Sequence, residues 1–117
     1  STTWGNYNNA TFEIAKGKYS TDNGKIFTEV KGTYTKPSSS KVILTTGATE
    51  RNSVLNIYDL AGNEWEWTLE KSTYTSSPSV YRGGHYYSGG SIYPAASRSR
   101  TDTSSSNDGI SFRPALW

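Results

Sequence analysis

The segment NIYDLAGNEWEW, Asn56–Trp67, carries the most information in this chain. It holds two of the four Trp and three of the ten acidic residues. Gly62–Asn63 lies at its centre, and both residue types favour tight turns because they tolerate positive φ. Asp59 and Glu66 flank this turn beside large aromatic residues. We therefore expect either a metal ion or a hydrogen-bonded loop to be fixed to the core here.

Composition predicts one folded domain, residues 1–117, with a small aromatic core. The apolar share of 32% lies below the roughly 45–50% of ordinary domains. Aromatic residues reach 14%, with nine Tyr and four Trp, whereas disordered chains contain few aromatics. No apolar run approaches the ~20 residues of a membrane span, so we expect no membrane insertion. Because the chain opens with Ser1 rather than Met, we expect it to be part of a longer protein.

Charge and residue usage exclude several classes of function. A net charge of +2 without clustered Lys and Arg does not match a nucleic-acid-binding surface. The chain has no Cys, which excludes disulfides, zinc–thiolate sites and cysteine nucleophiles. His85, Ser88 and Asp102 could be imagined as a catalytic triad, but the strand–Gly-x-Ser-x-Gly–helix setting is missing. We therefore expect no enzyme activity and assign no catalytic residue.

Periodicity predicts short strands, long polar loops and little helix. No window repeats apolar residues with the spacing of an amphipathic helix. Alternation, β-branched residues and short apolar runs between turn residues indicate strands instead. The predicted strands are Thr11–Ile14, Lys25–Tyr34, Lys41–Thr46, Trp65–Leu69, one beginning at Val80–Arg82, and a final core strand at Ile110–Trp117.

The composition changes between His85 and Asn107, where Ser, Tyr, Gly, Thr and Arg dominate. This mixture is typical of antibody paratopes, in which Tyr gives large contact area and Ser and Gly give adaptable hydrogen bonds. Ser-rich loops are also common as solvated linkers. Three Tyr in this stretch, together with the core-like strands on either side, favour a surface displayed for binding.

The carboxylates Asp59, Glu64 and Glu66 form an acidic cluster around the central turn. A glycosidase needs two carboxyl groups on opposite sides of a cleft, which strand residues near a turn do not suggest. Calcium takes about six to eight oxygen ligands, backbone carbonyls included. A Gly-Asn turn between carboxylates offers both kinds of ligand. Ordinary capping and surface carboxylates are the alternative.

Three segments resemble, in their order and spacing, the formylglycine-generating enzyme (sulfatase-modifying factor) superfamily. They are Asn56–Trp67, Tyr81–Arg98 (YRGGHYYSGGSIYPAASR) and Ile110–Trp117 (ISFRPALW), with a looser match at Trp4–Tyr7 (WGNY). The resemblance implies an α+β, C-type-lectin-like fold with short antiparallel strands, much irregular loop and little helix in this part. It also implies a further N-terminal part, with helices, outside these 117 residues.

The catalytic branch of this superfamily works through two cysteines that bind copper, and this chain has none. The resemblance therefore implies a non-catalytic member that keeps a structural calcium site. The calcium ligands would be the side chains of Asp59 and Glu66 and the carbonyl oxygens of Gly62 and Glu64. Ser111 stands where the family usually has Gly.

Similar sequences in this superfamily include non-catalytic proteins of bacteriophages and their hosts, among them the variable proteins of diversity-generating retroelements. In those proteins, adenine-directed mutagenesis rewrites codons of the binding surface. Residues 85–108 are largely of the types that such rewriting produces. Residues 82–117 are therefore the candidate variable region, here called the display segment. Its expected fixed frame is Arg82, Gly83, Gly84, Pro94, Ala95, Arg98, Phe112 and Arg113.

We expect a non-enzymatic ligand-recognition domain, used in phage receptor binding or bacterial surface adhesion, whose partner is a host-surface protein or glycan. Its setting would be a virion tail or the extracellular bacterial surface. Arg82, Arg98 and Arg113 are expected to pair with acidic residues beneath the display. The alternative is a purely structural domain of a virion or secreted protein. The expected ligand-binding residues are His85, Tyr86, Tyr87, Ser88, Ile92, Tyr93, Ser97, Ser99, Arg100 and Asp102.

Overall fold

The computed structural model describes residues 4–55 and 57–114, which form short β-strands joined by irregular loops. Within these ranges there is one 3₁₀ turn, Glu50–Asn52, and no α-helix, so no helix there could cross a membrane. The predicted scarcity of helix is confirmed. The strands are β1 (Phe12–Ile14), β2 (Lys18–Ser20), β3 (Thr28–Glu29), β4 (Tyr34–Lys36), β5 (Ile43–Leu44), β6 (Ser53–Val54), β7 (Ile57–Tyr58), β8 (Trp65–Lys71), β9 (Ser79–Arg82), β10 (Arg98–Thr101) and β11 (Ile110–Ser111).

The largest sheet has four strands in the order β10-β9-β8-β11. Strands β8, β9 and β10 are antiparallel neighbours, and β11 pairs with β8 in parallel. Trp67 lies opposite Tyr81, which in turn lies opposite Ser99. The register shifts between Trp67 and Lys71, and such an irregularity bends and twists a strand. This sheet places the start of the display segment directly beside the Trp-rich strand β8.

The remaining strands form three small antiparallel sheets, β1-β4, β3-β2-β5 and β6-β7. In β1, Phe12 and Ile14 are buried and Glu13 is exposed. This alternation is the one predicted for Thr11–Ile14, because successive side chains of a strand point to opposite faces.

The core combines a few aliphatic residues with aromatic rings, as the composition predicted. The apolar run at Lys41–Thr46 supplies the aliphatic part, since Val42, Ile43 and Leu44 are buried although only the last two form a strand. Tyr19 and Tyr34 stack at the edge of this core with ring centroids 4.1 Å apart. The buried core cluster consists of Tyr7, Ala10, Phe12, Ile14, Val42, Leu44, Ala48 and Ala61.

Three strand predictions were wrong in extent, and one of them is Lys41–Thr46, of which only Ile43–Leu44 forms a strand. Lys25–Tyr34 is not one strand: β3 covers only Thr28–Glu29, and Gly32 at φ 75° interrupts the chain before β4 begins. The predicted core strand at the end of the chain covers only Ile110–Ser111. Phe112 is 75% exposed, and Pro114 has no N–H to donate to a sheet. Residues 115–117 of that prediction lie outside the described residues.

A fully buried lysine connects β4 to the turn that precedes β1. The ammonium of Lys36 donates to the carbonyl oxygens of Tyr7 (2.7 Å) and Ala10 (2.9 Å), and it lies 5.5 Å from the centroid of the Phe12 ring. Burial, helped by the nearby charge of Arg51, lowers the pKa of Lys36 to about 8. Desolvation of a charged amine causes this direction of shift. The sequence patterns did not single out this residue.

Gly62 lets the central turn approach the N-terminal segment closely. Its φ is +68°, and a Cβ at this position would lie 2.4 Å from the carbonyl oxygen of Asn6. Asn6 and Gly62 form an isolated β-bridge, and the N–H of Asn63 donates to the Asn6 carbonyl at 2.8 Å. Any larger side chain would separate these two backbones.

We predict that Gly62→Ala lowers the free energy of unfolding by roughly 3 kcal/mol or more, because left-handed strain adds to steric overlap. Gly32→Ala is the matched control, since Gly32 has φ +75° and a Cβ added there would meet nothing within 4 Å. The control should lose only ~1 kcal/mol. Urea unfolding of both variants measures the difference, and equal losses would contradict the close-approach explanation.

Candidate functional site

The buried side chain of Asn63 holds the central turn in place. Its Oδ1 accepts from Asn6 Nδ2 (2.8 Å) and from the N–H of Leu44 (2.9 Å), and its Nδ2 donates to the Leu44 carbonyl (2.8 Å). Its own carbonyl accepts from the N–H of Tyr86 at 2.8 Å. Asn63 therefore ties together the N-terminal segment, β5 and the display segment. The turn is therefore hydrogen-bonded to the core, which is one of the two alternatives expected for it.

Beside this turn lies an aromatic cluster centred on Trp65, which is only 7% exposed. The Trp65 ring centroid lies 5.1 Å from that of Tyr81, 5.9 Å from His85 and 5.4 Å from Tyr93. The Tyr81 and Tyr93 rings meet it edge to face, a favourable geometry for aromatic pairs. Strand β8 thus supplies the ring on which the first part of the display segment packs. We define the aromatic cluster as Trp65, Tyr81, His85, Tyr86, Tyr87 and Tyr93.

The predicted ligand-binding residues between His85 and Tyr93 lie near one another and differ in exposure. Tyr87 is 46% exposed, Tyr93 41% and Ile92 70%, whereas Tyr86 is 4% exposed. The Tyr86 hydroxyl donates to Asn23 Oδ1 at 3.2 Å. Tyr93 packs on the buried Trp65 and Tyr87 packs on His85, which restricts how these two exposed rings can reorient. The buried Tyr86 serves mainly as their support.

The later predicted residues lie along β10 and divide between its two faces. Ser99 is paired with Tyr81, whereas Arg100 is paired with Val80, so their side chains point in opposite directions. The Arg100 guanidinium lies 3.7 Å from the centroid of the Tyr74 ring. The structure therefore does not bring Ser99 and Arg100 to one surface.

Asp102 and Ser97 are engaged within the display segment itself. The Asp102 carboxylate accepts from the N–H of Ser104 (2.9 Å) and from its hydroxyl (2.8 Å). The N–H of Ser97 donates to the Pro94 carbonyl at 2.7 Å. Ser88 lies instead beside His85, with 2.9 Å between its Oγ and His85 Nδ1. Because Asp102 is held in its own turn, the imagined triad of His85, Ser88 and Asp102 is not assembled.

The frame arginines pair with acidic residues, as expected. Glu70 accepts from Arg82 and from Arg98, with 3.0 Å for each of the contacts to its Oε2. Arg82 also donates to the Ala96 carbonyl at 2.9 Å. Arg113 pairs with Glu66 through both carboxylate oxygens. Exposed pairs of this kind stabilise by only ~0–1 kcal/mol, so their main effect is to fix the positions of the loops that they join.

The three predicted acidic residues line one cavity of about 530 Å³. Asp59 is buried, and its two oxygens accept from Asn52 Nδ2 (3.1 Å) and from the N–H of Gly47 (3.2 Å). Burial raises the pKa of Asp59 although these hydrogen bonds oppose the shift. Glu64 and Glu66 line the same cavity. The three carboxylates that surround the turn in the sequence therefore share one cavity in the structure.

Arg113 supplies a positive charge inside this acidic cavity. Besides pairing with Glu66, its guanidinium donates to the carbonyl oxygens of Tyr58 (2.9 Å) and Asp59 (3.4 Å). Within residues 4–55 and 57–114, no three His, Cys, Asp or Glu side chains are grouped so that they could hold a metal ion. Carboxylate and carbonyl oxygens are the ligands that calcium prefers. A calcium ion that bound Glu66 would have to displace Arg113 from its carboxylate.

Another, smaller cavity includes residues that were not predicted from the sequence. Its volume is about 280 Å³, and the Asn107-Asp108-Gly109 turn closes one side. The Asn-Asp-Gly run is a turn signal, but nothing local relates it to His85. We call this cavity the ring pocket, and it is lined by Asn23, His85, Tyr86, Tyr87, Asn107, Asp108 and Gly109.

Two titratable groups near the ring pocket have shifted pKa values. Burial, together with the nearby charge of Asp108, raises the pKa of Glu64 to about 7. Burial also lowers the pKa of His85, although the charge of Asp108 opposes that shift. Both shifts disfavour the charged forms, which is the usual effect of desolvation. His85 is therefore neutral at pH 7, and Glu64 is divided between its two forms.

Comparison with known proteins gives one match, and it spans nearly the whole chain. Residues 2–116 match the family described as "Sulfatase-modifying factor enzyme 1-like domain". The match includes the first half of the chain, where the sequence motifs gave only the loose resemblance at Trp4–Tyr7. Searches of curated proteins and of solved structures gave no match.

Glu64 makes the stability of the fold depend on pH. Its folded pKa of about 7 lies above the ordinary 4.5, so the folded state binds more protons than the unfolded state between these values. Stability therefore falls as pH rises from about 4.5 to about 7. We predict that Glu64→Gln raises Tm relative to the wild type at pH 8 but not at pH 4.

Glu13→Gln is the matched control, because Glu13 is exposed on β1. Its Tm difference from the wild type should be the same at both pH values. Thermal unfolding followed by circular dichroism measures all three proteins. If the Tm difference between Glu64→Gln and the wild type is also the same at both pH values, the raised pKa of Glu64 is wrong.

Proposed function

Because the chain belongs to the family of sulfatase-modifying factor enzyme 1-like domains, we propose that it is a ligand-recognition member rather than a catalytic one. The catalytic branch that the motifs resemble uses a pair of cysteines, and this sequence contains no Cys. The mainly β architecture with irregular loops supports a C-type-lectin-like fold for the chain. The display segment is the part of the chain that binds.

The observation that carries this proposal is the exposed aromatic patch on a fixed support. Tyr87, Ile92 and Tyr93 are exposed in a segment that packs against Trp65 and is hydrogen-bonded to Asn63. Large apolar side chains exposed together mark binding surfaces. Tyr is also enriched among the residues that contribute most to protein interfaces. A support that is already ordered lowers the entropy lost when a ligand binds.

The proposed ligand is a host-surface protein or glycan, and the proposed setting is a phage tail or a bacterial surface. The support is the Tyr, Ser, Gly and Arg composition of residues 85–108, which resembles that of retroelement-diversified proteins. The exposed residues of this stretch tolerate substitution because they do not fill the core. The frame residues Gly83 and Gly84, by contrast, are buried at positive φ.

A purely structural role is the second candidate, and two contacts favour it for the far part of the display segment. Arg100 is stacked on Tyr74, and Asp102 holds the turn at Ser104. Side chains already engaged within the chain have less to offer a ligand. In this case the domain would be a packing module of a virion or secreted protein.

The aromatic patch can be tested with paired double variants on a panel of intact bacterial cells, purified surface proteins and surface glycans. We predict that Tyr87→Ser/Tyr93→Ser weakens binding to the ligand found by the wild type at least ~30-fold, since a hot-spot side chain contributes ~2 kcal/mol or more. The control is Ile26→Ser/Leu69→Ser, because Ile26 and Leu69 are exposed elsewhere. Its binding should stay within about threefold of the wild type.

Equal binding by the two double variants would show that the patch is not the binding surface. If the folded wild type binds no member of the panel, the structural role becomes the better explanation. Circular dichroism of each variant establishes that a loss of binding does not come from a loss of fold.

We also propose that calcium can bind in the acidic cavity and stabilise the fold. The ligands would be the Asp59 and Glu66 side chains and the carbonyl oxygens of Gly62 and Glu64. The support is that Asp59, Glu64 and Glu66 line one cavity and that the donors are oxygens, as calcium prefers. Arg113 competes with the ion for Glu66.

Calcium at about 100-fold its Kd should raise the free energy of unfolding of the wild type by roughly 2–3 kcal/mol relative to chelator. The rise should vanish in Asp59→Asn/Glu66→Gln and increase in Arg113→Gln, which removes the competing cation. Glu13→Gln/Glu29→Gln carries the same change of charge at exposed positions and should respond like the wild type. If calcium does not change the Tm of the folded wild type, the calcium proposal is wrong, and Arg113 is the cation that pairs with Glu66 in this cavity.

A further inference from the structure

We propose that the ring pocket binds the side-chain ammonium of a lysine presented by a partner protein. The inference rests on the proposed recognition function and names the chemistry of the ligand at one part of that surface. It adds Asp108, which the sequence did not identify as a binding residue. The proposal follows from the arrangement of rings, the local charge and the size of the pocket.

Three aromatic rings lie around the ring pocket within contact distance of one another. The His85 centroid lies 5.9 Å from that of Tyr86 and 5.7 Å from that of Tyr87. The two Tyr rings are 6.2 Å apart and nearly perpendicular, at 86°. Because Tyr86 is only 4% exposed, the ring surfaces that an incoming group can contact are those of the half-buried His85 and the exposed Tyr87. Cations within ~6 Å of a ring centroid are attracted to its face.

The charge of the pocket is negative. Asp108 lines it, and its charge adds to burial in raising the pKa of the nearby Glu64. No Lys or Arg is among the described residues that line the pocket. Burial raises the pKa of Tyr86, and the nearby charges of Glu64 and Asp108 add to this shift. An incoming ammonium would thus gain a carboxylate partner in addition to the ring faces.

One ring of the pocket already contacts an ammonium group of this protein. The Nζ of Lys41 lies 3.6 Å from the centroid of the Tyr87 ring. Lys41 is an exposed residue and does not line the ring pocket. Tyr87 therefore already takes part in one cation–π contact beside the pocket, and an incoming ammonium would share this ring with Lys41 or replace it.

The size of the pocket fits a single side chain better than a larger molecule. Its volume of about 280 Å³ is just below the roughly 300–1,000 Å³ of pockets that take drug-sized ligands. Asn23 and Asn107 add amide groups to the wall. The pocket also lies next to the exposed ring of Tyr87, so a lysine could enter it while its protein contacts the aromatic patch.

The test uses the ring signals of His85 in an NMR titration, because His85 is the single His of the chain. The probes are acetyl-lysine-methylamide and its uncharged analogue acetyl-norleucine-methylamide, at constant ionic strength. The lysine probe should produce a saturable shift of the His85 signals with a Kd at least ~10-fold lower than that of the norleucine probe. Equal affinities for both probes would overturn the proposal, since they would show an apolar rather than a cation-binding pocket.

Variants separate the charge and ring contributions. Asp108→Asn should raise the Kd of the lysine probe at least ~5-fold, and Tyr87→Leu should raise it by a similar factor. Glu13→Gln removes an exposed carboxylate on β1 and should leave the Kd unchanged. An Asp108→Asn protein that binds the lysine probe as tightly as the wild type would overturn the role of the carboxylate and the proposal with it.

The two levels of the proposal can fail separately. If the wild type binds a panel ligand through Tyr87 and Tyr93 but the lysine probe gives no saturable shift, the lysine chemistry is wrong and recognition by the patch remains. A different outcome is that the lysine probe binds as expected but Tyr87→Ser/Tyr93→Ser binds the panel ligand as tightly as the wild type. The proposed recognition function is then wrong at this surface.

Discussion

The structure depends on the hydrogen bonds of one buried residue, Asn63. Its side-chain amide bonds to Asn6 and Leu44, and its backbone carbonyl accepts from the N–H of Tyr86. An unpaired buried polar group costs about 1–3 kcal/mol, so the three segments that satisfy Asn63 can meet in only one arrangement. They are the N-terminal segment at Asn6, β5 at Leu44 and the display segment at Tyr86. Some strands of this chain are only two residues long. The hydrogen bonds of Asn63 therefore hold distant segments together, as long sheets do in other β proteins.

Around Asn63, the residues that hold the display segment in place are distinct from the residues that the segment exposes to solvent. On the inner side, Trp65 and the neighbouring sheet hold the display segment by edge-to-face packing and by backbone hydrogen bonds. On the outer side, Tyr87 and Tyr93 face the solvent. The pairs of Glu70 with two arginines fix the loop between β9 and β10 without using apolar area. Exposed residues can therefore change while the structure beneath them stays the same.

Local signals predicted β1 and β8 well, because alternation and apolar runs reflect contacts that neighbouring residues share. The prediction for Lys25–Tyr34 was wrong because its alternation could not reveal that Gly32 turns the chain. For ion pairs between distant segments, the sequence predicted the type of partner but not which residue it would be. An acidic partner was expected for Arg113, but the choice of Glu66, 47 residues away, depends on the tertiary fold. The ring pocket was missed for the same reason, since Asn23 and Tyr86 are 63 residues apart.

The buried amine of Lys36 can serve as a chemical probe of local opening in this protein. Burial lowers its pKa to about 8, and exposure to water would return the pKa towards the ordinary 10.5, so at alkaline pH part of the amine is unprotonated and nucleophilic in either state. The folded chain nevertheless shields it completely, with both carbonyl partners in place. An acylating reagent can reach it only during moments when the N-terminal turn separates from β4. The rate at which Lys36 is acylated therefore reports how often the first half of the domain opens.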